Sequence, residues 1–160
     1  MLSISEADIR NRIARDNPWW SPDRQIPEWG WRRRTYFAPF ADLALDARVR
    51  RAAVLLGPRR VGKTVLIKQV IQEAINRGLS PRRILYASID TPVFSGMRLE
   101  SFVDMLPERE GPGLIVFDEI QYLKDWERHL KDLVDSVPDC KFVATGSAAE
   151  ALRLKSPESG

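Results

Sequence analysis

A short stretch of the sequence has the residue types and spacing needed to bind a chain of phosphates. Residues 57–64 read GPRRVGKT and fit the pattern G-x-x-x-x-G-K-[ST]. Glycines let backbone N–H groups turn toward phosphate oxygens without obstruction from a Cβ atom. A helix that begins at the end of the loop adds the positive end of its dipole. The residues expected to contact a nucleotide are Gly57, Pro58, Arg59, Arg60, Val61, Gly62, Lys63, Thr64 and Val65.

Two side chains of this loop are expected to take part in the chemistry. Lys63 would lie against the β- and γ-phosphates, and the Thr64 hydroxyl would ligate Mg²⁺. Arg59 and Arg60 have three open roles, since they can steer phosphates, contact a partner or remain solvated. The loop lies between an apolar run and a helical pattern, which is the setting in which the motif indicates a nucleotide site.

A second candidate stretch, LIVFDEI (114–120), is an apolar run that ends in two carboxylates. Asp118 is expected to support Mg²⁺, and Glu119 is expected to polarise the attacking water as a general base. Such a base distinguishes nucleotide hydrolases from most small-molecule kinases. The alternative is an acidic pair that only initiates a helix, because DEIQYLKDW begins a helical pattern and acids suit that position.

A third candidate stretch is FVATGS (142–147), at the end of the last apolar run. In a sheet of strand order 1-4-3-2, this run lies between the loop strand and the strand that carries Asp118. Thr145 and Ser147 would then point at the γ-phosphate and the attacking water, and we expect them to sense the nucleotide. Ser147 has an alternative role as the cap of a helix over AAEALRL.

The elements that position these residues follow from the apolar pattern. The short β-branched runs are AAVLL (52–56), ILYASI (84–89), LIVF (114–117) and KFVAT (141–145). Helical patterns lie between them at 63–76, 98–106 and 122–137. Nearly continuous apolar strands alternating with helices are typical of an α/β fold, with a buried parallel sheet and helices on both faces.

The first 51 residues have a different character, so we divide the chain into an N-terminal arm (1–51) and a core (52–160). Ser5 is expected to cap a helix that runs to about Arg15. The following stretch, DNPWWSPDRQIPEWGWRRRTYFAPF, holds four of the five tryptophans, and a helix is expected near residues 40–51. Its tryptophans and arginines can bind nucleic acid, cover a sheet edge or cover the adenine ring.

Composition and charge narrow the class of protein. The net charge is +3, but the first 60 residues hold 12 arginines against 7 acidic residues. This basic third of the chain either attracts nucleic acid or is simply solvated. The chain has one cysteine, no signal-peptide pattern and no apolar run of membrane-spanning length. We therefore expect a cytoplasmic protein with no membrane partner.

Taken together, the stretches RRAAVLLGPRRVGKTVLIKQVI, RILYASID, LIVFDEIQYLKDWERHLKDLVD and KFVATGSAAEAL resemble the AAA-like ATPase domain of the bacterial and archaeal P-loop ATPase superfamily. The resemblance covers about residues 15–155. It implies that Lys63 and Thr64 bind phosphate and Mg²⁺, that Asp118 supports Mg²⁺, and that Glu119 is the catalytic base. It also implies that the TGS end of the fourth strand senses the γ-phosphate.

The sequence departs from this family's pattern at its end. Family members usually have a Gly-Arg pair shortly after this point, then a fifth strand beside the loop strand and a C-terminal region. We therefore expect an N-terminal portion of a longer protein that hydrolyses ATP weakly alone. The arginine would come from self-association or from a missing C-terminal domain.

The function expected from these features is ATP binding and Mg²⁺-dependent hydrolysis that drives a conformational change in an attached domain or partner. An alternative is a nucleotide-gated binding module for protein or DNA, in which hydrolysis is slow or absent. A small-molecule kinase is a third possibility, which the presence of Glu119 weakens.

Overall fold

The computed structural model describes residues 4–22, 25–58, 62–147 and 149. The α-helices of these ranges are α1 (Glu6–Asp16), α2 (Phe37–Leu45), α3 (Lys63–Asn76), α4 (Leu99–Val103) and α5 (Trp126–Ser136). The strands are β1 (Ala53–Gly57), β2 (Ile84–Ser88), β3 (Gly113–Asp118) and β4 (Cys140–Ser147). Within these ranges, no helix combines the length and the apolar character that a bilayer-spanning segment needs. The division of the chain at residue 51 into an arm and a core stays a prediction.

The four strands form one parallel sheet of order β1-β4-β3-β2, which confirms the predicted α/β fold and strand order. Every residue of β3 is buried, as expected for a central strand covered on both faces. The register pairs Gly57 with Ser147 and Ser88 with Asp118. The carboxyl ends of all four strands therefore meet at one edge of the sheet.

Helices cover both faces of the sheet, because alternate residues of each strand point to opposite sides. On one face, Val116 and Val143 pack in a cluster with residues of α2 and α3 such as Leu66. On the other face, Phe117 and Phe142 pack with residues of α1, α4 and α5. The sheet thus has two apolar cores, and each is closed by helices.

Two predicted helices begin or end elsewhere in the structure. The helix predicted over 122–137 begins only at Trp126, because residues 120–122 form a 3₁₀ turn and Asp125 has a left-handed backbone with φ of 57°. The helix predicted near 40–51 is α2, which ends at Leu45. Asp46 stops it by accepting hydrogen bonds from the backbone N–H and the guanidinium of Arg48.

The other predicted helices agree well with the structure. Helix α3 spans residues 63–76 as predicted, and Ser5 caps α1 in a capping box with Asp8. The predicted helix over 98–106 contains the shorter α4. The helix predicted over AAEALRL lies outside the described residues.

The N-terminal arm closes the β2 edge of the sheet with side chains. The amide of Asn17 donates to the carbonyl oxygen of Tyr86 at 2.9 Å and accepts from its N–H at 2.6 Å. The indole N–H groups of Trp19 and Trp20 both donate to the carbonyl oxygen of Ile84. An edge strand otherwise leaves such groups unpaired. These two tryptophans therefore cover a sheet edge, one of the three roles expected for the arm.

We predict that Asn17→Ala lowers the free energy of unfolding by about 1–3 kcal/mol, because it leaves buried backbone groups of β2 without partners. Urea unfolding followed by tryptophan fluorescence measures the change. Asn76→Ala removes the same amide from an exposed position of α3 and is the matched control. Equal effects of the two variants would show that the Asn17 contacts do not stabilise the edge.

Candidate functional site

The phosphate-loop motif joins the end of β1 to the start of α3, at the carboxyl edge of the sheet. Gly62 has a left-handed backbone with φ of 82° and precedes the first residue of α3. Lys63 is only 6% exposed, and its Nζ donates to the carbonyl oxygens of Gly57 at 3.0 Å and Pro58 at 2.6 Å. The side chain of Lys63 therefore packs against the first two residues of the loop. Of the other predicted contacts, Val65 is half-buried in the first turn of α3, whereas Arg59, Arg60 and Val61 lie outside the described residues.

Asp118 is the centre of a buried hydrogen-bond network. Its side chain is 2% exposed and lies at the end of β3. One carboxylate oxygen accepts from the Thr64 hydroxyl at 2.8 Å and from the Tyr86 hydroxyl at 2.6 Å. The other oxygen accepts from the Thr145 hydroxyl. Hydroxyls from α3, β2 and β4 therefore converge on one carboxylate.

This oxygen-rich arrangement fits a magnesium ion. Mg²⁺ is held in nucleotide sites by one or two protein oxygens together with phosphate and water oxygens. The Thr64 hydroxyl and the Asp118 carboxylate, in direct contact at the end of the phosphate loop, are such a pair. The described residues contain no cluster of three or more His, Cys, Asp or Glu side chains that could form a metal cage of protein groups alone.

Glu119 lies beyond the end of β3 with a left-handed backbone, φ 54°. Its carboxylate accepts a hydrogen bond from the side-chain amide of Gln121 at 2.6 Å, and its backbone N–H donates to the Thr145 hydroxyl at 3.3 Å. Glu119 is the N-cap of the 3₁₀ turn at residues 120–122, yet its side chain makes no capping hydrogen bond. The contacts of this carboxylate are thus with Gln121 and not with a helix end.

Strand β4 ends at Ser147, as expected from FVATGS at the end of the fourth strand, and Gly146 and Ser147 pair with Leu56 and Gly57 of β1. The backbone N–H of Ser147 donates to the side-chain oxygen of Gln121 at 3.3 Å. Gln121 is only 3% exposed. Its side chain donates to Glu119 and accepts from Ser147, so it connects Glu119 with the end of β4. The capping role considered for Ser147 concerns a helix outside the described residues.

Gly146 packs closely against Gln121 and Leu56. A Cβ atom at this position would lie 3.0 Å from the side-chain oxygen of Gln121 and 3.2 Å from Cδ2 of Leu56. Both contacts are closer than atoms in proteins normally approach. The glycine of the TGS stretch therefore makes room for the amide that contacts Glu119.

Sequence reasoning missed two residues of the site, Tyr86 and Gln121. Tyr86 is the only polar side chain of the buried run ILYA, and Gln121 comes two positions after Glu119, so each carried a weak signal. Burial and the Asp118 carboxylate raise the pKa of Tyr86, so its phenol stays protonated and can donate. Lys68 Nζ lies 3.8 Å from the centre of the Tyr86 ring, and burial lowers the pKa of this lysine.

An apolar cavity of about 590 Å³ lies beside the phosphate loop. Its lining residues are Tyr36, Pro39, Phe40, Leu43, Leu55, Leu56, Gly57, Pro58 and Lys63. The aromatic side chains of this wall come from the start of α2 and the residue before it, and not from the tryptophans of the arm. The cavity has the character of a site for a flat apolar group next to the phosphate loop.

Most of the chain, including the candidate site, matches a known protein family. Residues 49–160 match the model of a protein family described as AAA domain. The uncharacterized protein MJ1637 of Methanocaldococcus jannaschii is 34% identical over 111 residues, which are 66% of this chain and 23% of that protein. The chain thus spans about a quarter of the length of this curated relative.

Three solved structures are similar at low sequence identity. A DNA replication initiation factor has a TM-score of 0.49 at 16% identity and covers 79% of this chain. AMPPCP-bound DnaA from Aquifex aeolicus has a TM-score of 0.45 at 17% identity over 72% of the chain. C. elegans PCH-2 has a TM-score of 0.44 at 15% identity over 96% of the chain. The present chain covers 42% of each.

We predict that Tyr86→Phe lowers the free energy of unfolding by about 1.5–3 kcal/mol in the absence of nucleotide, because it removes a hydrogen-bond donor from a buried carboxylate. Urea unfolding measures the change. Tyr36→Phe, at an exposed tyrosine, is the control and is expected to change stability by less than about 0.5 kcal/mol. If the two variants are equally stable, the Tyr86 hydroxyl does not support Asp118.

Proposed function

The chain belongs to the AAA domain family, and from this premise we propose that it binds ATP with Mg²⁺ and hydrolyses it. The observation that carries the proposal is the contact between Thr64 of the phosphate loop and Asp118 of β3, with Glu119 as the next residue. A phosphate-binding loop, a magnesium-compatible oxygen pair and a carboxylate able to accept a proton thus share one edge of the sheet. Nucleotide hydrolysis requires these three groups together.

Binding would use charge at one end of ATP and apolar contact at the other. The backbone N–H groups at the start of α3 and the Lys63 ammonium attract the phosphates. Lys63 now donates to two loop carbonyls, so it would exchange these for oxygens of the β- and γ-phosphates. The apolar cavity beside the loop suits the adenine ring, with Phe40 and Leu56 in its wall.

Thr64 and Asp118 are the residues that would hold Mg²⁺. When bound, this ion neutralises the negative charge of the phosphate oxygens during transfer. Tyr86 and Thr145 donate to the carboxylate of Asp118 and so fix its orientation. These contacts limit the freedom of the carboxylate before any ligand arrives, which lowers the cost of ordering the site.

In hydrolysis, a water oxygen forms a bond to the γ-phosphorus, and the bond from that phosphorus to the β–γ bridging oxygen breaks. Glu119 accepts the proton of the water, and ADP and phosphate are the products. Gln121 sets the direction of the Glu119 carboxylate through its 2.6 Å hydrogen bond. The proposed sensing role of Thr145 has support in its hydroxyl, which donates to Asp118. Ser147 is joined to the site through its backbone N–H, which donates to Gln121.

A nucleotide-gated binding module with slow hydrolysis is the second candidate function. The observation that favours it is the hydrogen bond between Gln121 and Glu119, because a carboxylate already engaged is a poorer base for water. In this case nucleotide occupancy would order a surface for a partner. Whether hydrolysis is fast or slow, we propose that the bound nucleotide drives a conformational change in an attached domain or partner. We also propose that another chain or domain supplies an arginine to the site.

We predict that Lys63→Ala abolishes ATP turnover and weakens ATP binding by about 10-fold or more, since it removes a charge-assisted contact with the phosphates. Phosphate release and titration with a fluorescent ATP analogue measure the two effects. Lys124→Ala removes an exposed lysine away from the loop and is the control. Unchanged binding and turnover in Lys63→Ala would contradict the proposed function.

Glu119→Gln is predicted to keep ATP affinity while turnover falls by about 10²- to 10⁴-fold, because only the proton acceptor is lost. Glu110→Gln, at an exposed acidic residue, is the matched control. Retention of wild-type turnover would show that Glu119 is not the base. A wild-type rate that is already as low as that of Glu119→Gln would favour the nucleotide-gated module.

A further inference from the structure

Arg34 of the N-terminal arm reaches the phosphate loop, although it precedes the loop strand in the sequence. A Cβ atom placed on Gly62 would lie 3.4 Å from Nη2 of Arg34, 3.7 Å from its Nε and 4.0 Å from its Cζ. The guanidinium thus lies beside Gly62, on the side where other residues carry a Cβ atom. No part of the loop motif predicts this contact.

The space next to Gly62 is the space that a phosphate needs. Glycine at such a loop position lets a ligand approach the backbone N–H groups, because no Cβ stands in the way. Gly62 also precedes the first turn of α3, where the helix presents its free N–H groups. A group in contact with the Cβ position of Gly62 therefore lies beside the free backbone N–H groups at the start of α3, which are suited to bind phosphate. In this chain that group is a guanidinium, which binds phosphate oxygens through two parallel hydrogen bonds.

The arm around Arg34 is fixed to the same helix that begins at the loop. The side-chain amide of Gln69, a buried residue of α3, donates to the carbonyl oxygens of Glu28 at 3.0 Å and Trp31 at 3.1 Å. Arg33 lies 3.8 Å above the centre of the Trp29 ring. These contacts hold the segment that leads to Arg34.

The backbone of Arg34 is held on its other side as well. Its carbonyl oxygen accepts a hydrogen bond from the N–H of Phe37 at 3.0 Å, at the first turn of α2. The backbone that leads to and from Arg34 is therefore anchored to α3 and α2, while the Arg34 side chain is exposed to solvent beside Gly62.

Arg34 carries a positive charge beside Gly62. In the part of the chain that the structure describes, several other arginines form ion pairs with carboxylates, but Arg34 forms none. Lys63, the residue that directly follows Gly62, supplies a second positive charge. Two cations near one glycine, with no acidic side chain of the described ranges paired to Arg34, match the charge of a polyphosphate.

We propose that Arg34 is a nucleotide-binding residue that donates hydrogen bonds to the phosphate chain of ATP at Gly62. The proposal rests on the proposed binding of ATP and adds a residue from outside the loop to it. The N-terminal arm then has two functions, since its tryptophans close the β2 edge and Arg34 completes the phosphate site. Arg34 is distinct from the arginine that the family resemblance leads one to expect after β4.

The test compares Arg34→Gln with Arg32→Gln, which removes the same charge from an exposed neighbour. Isothermal titration with ATP, ADP and adenosine gives the affinities. Arg34→Gln is expected to weaken ATP and ADP binding by about 10- to 100-fold, the range for a hydrogen bond between charged groups, and to leave adenosine binding unchanged. Arg34→Lys, which keeps the charge but not the fork of donors, is expected to lie between wild type and Arg34→Gln.

Two results would overturn the proposal. Equal losses of affinity for ATP and adenosine in Arg34→Gln would mean that Arg34 only supports the arm, and equal affinities of Arg34→Gln and Arg32→Gln for ATP would mean that it does not touch phosphate. Competition by inorganic tripolyphosphate gives an independent reading, since the proposal requires weaker competition with Arg34→Gln.

Lys63→Ala in the same titrations separates this inference from the function on which it rests. If Lys63→Ala loses ATP affinity while Arg34→Gln does not, the site binds nucleotide and only the role of Arg34 is wrong. If the wild-type chain and all variants fail to distinguish ATP from adenosine, the proposed function itself is wrong. Urea unfolding of each variant confirms that the compared chains are folded.

Discussion

The buried carboxylate of Asp118 is the constraint on which the rest of the structure depends. A charge removed from water is tolerated only where hydrogen bonds replace its hydration. Here the replacements are three hydroxyls, from Thr64, Tyr86 and Thr145, and each comes from a different element. Strand order β1-β4-β3-β2 makes this possible, because it places β3 between β2 and β4 with all carboxyl ends at one edge. The same hydrogen bonds therefore stabilise the fold and form the site, because the contact that Thr64 makes with the Asp118 carboxylate also joins the phosphate loop to the sheet.

A residue of the edge strand β2, Tyr86, also makes contacts with several elements at once. Tyr86 donates its hydroxyl to Asp118, its ring lies under the ammonium of Lys68, and its backbone groups pair with the amide of Asn17. One residue thus joins the carboxylate network, helix α3 and the N-terminal arm. The arm in turn is fixed to α3 by Gln69, so elements far apart in sequence are joined at this end of the sheet.

The parts of the molecule that sequence reasoning predicts well are those encoded by local pattern. The four apolar runs locate the four strands, and the helical pattern that follows the motif of residues 57–64 gives α3 its observed limits. The expected strand order 1-4-3-2 is confirmed by the sheet. The predicted helix limits at residues 51 and 122 are wrong, because α2 ends at Leu45 before the Asp46 turn and α5 begins at Trp126 after the left-handed Asp125, and no periodicity reports either feature. The contacts of Asn17 with the backbone of Tyr86 and of Gln121 with the N–H of Ser147 are not predictable from local pattern, because only tertiary packing brings these groups together.

The pairing of Asn17 with β2 has a consequence for the dynamics of the chain. The N–H of Tyr86 points outward from the sheet edge, and its acceptor is a side chain of the arm and not another strand. Exchange of this amide hydrogen with solvent therefore requires only that Asn17 moves away, whereas amides bonded between β3 and β4 require the sheet to open. The exchange rate of a single backbone proton thus measures the free energy with which the arm is docked, separately from the stability of the sheet to which it is attached.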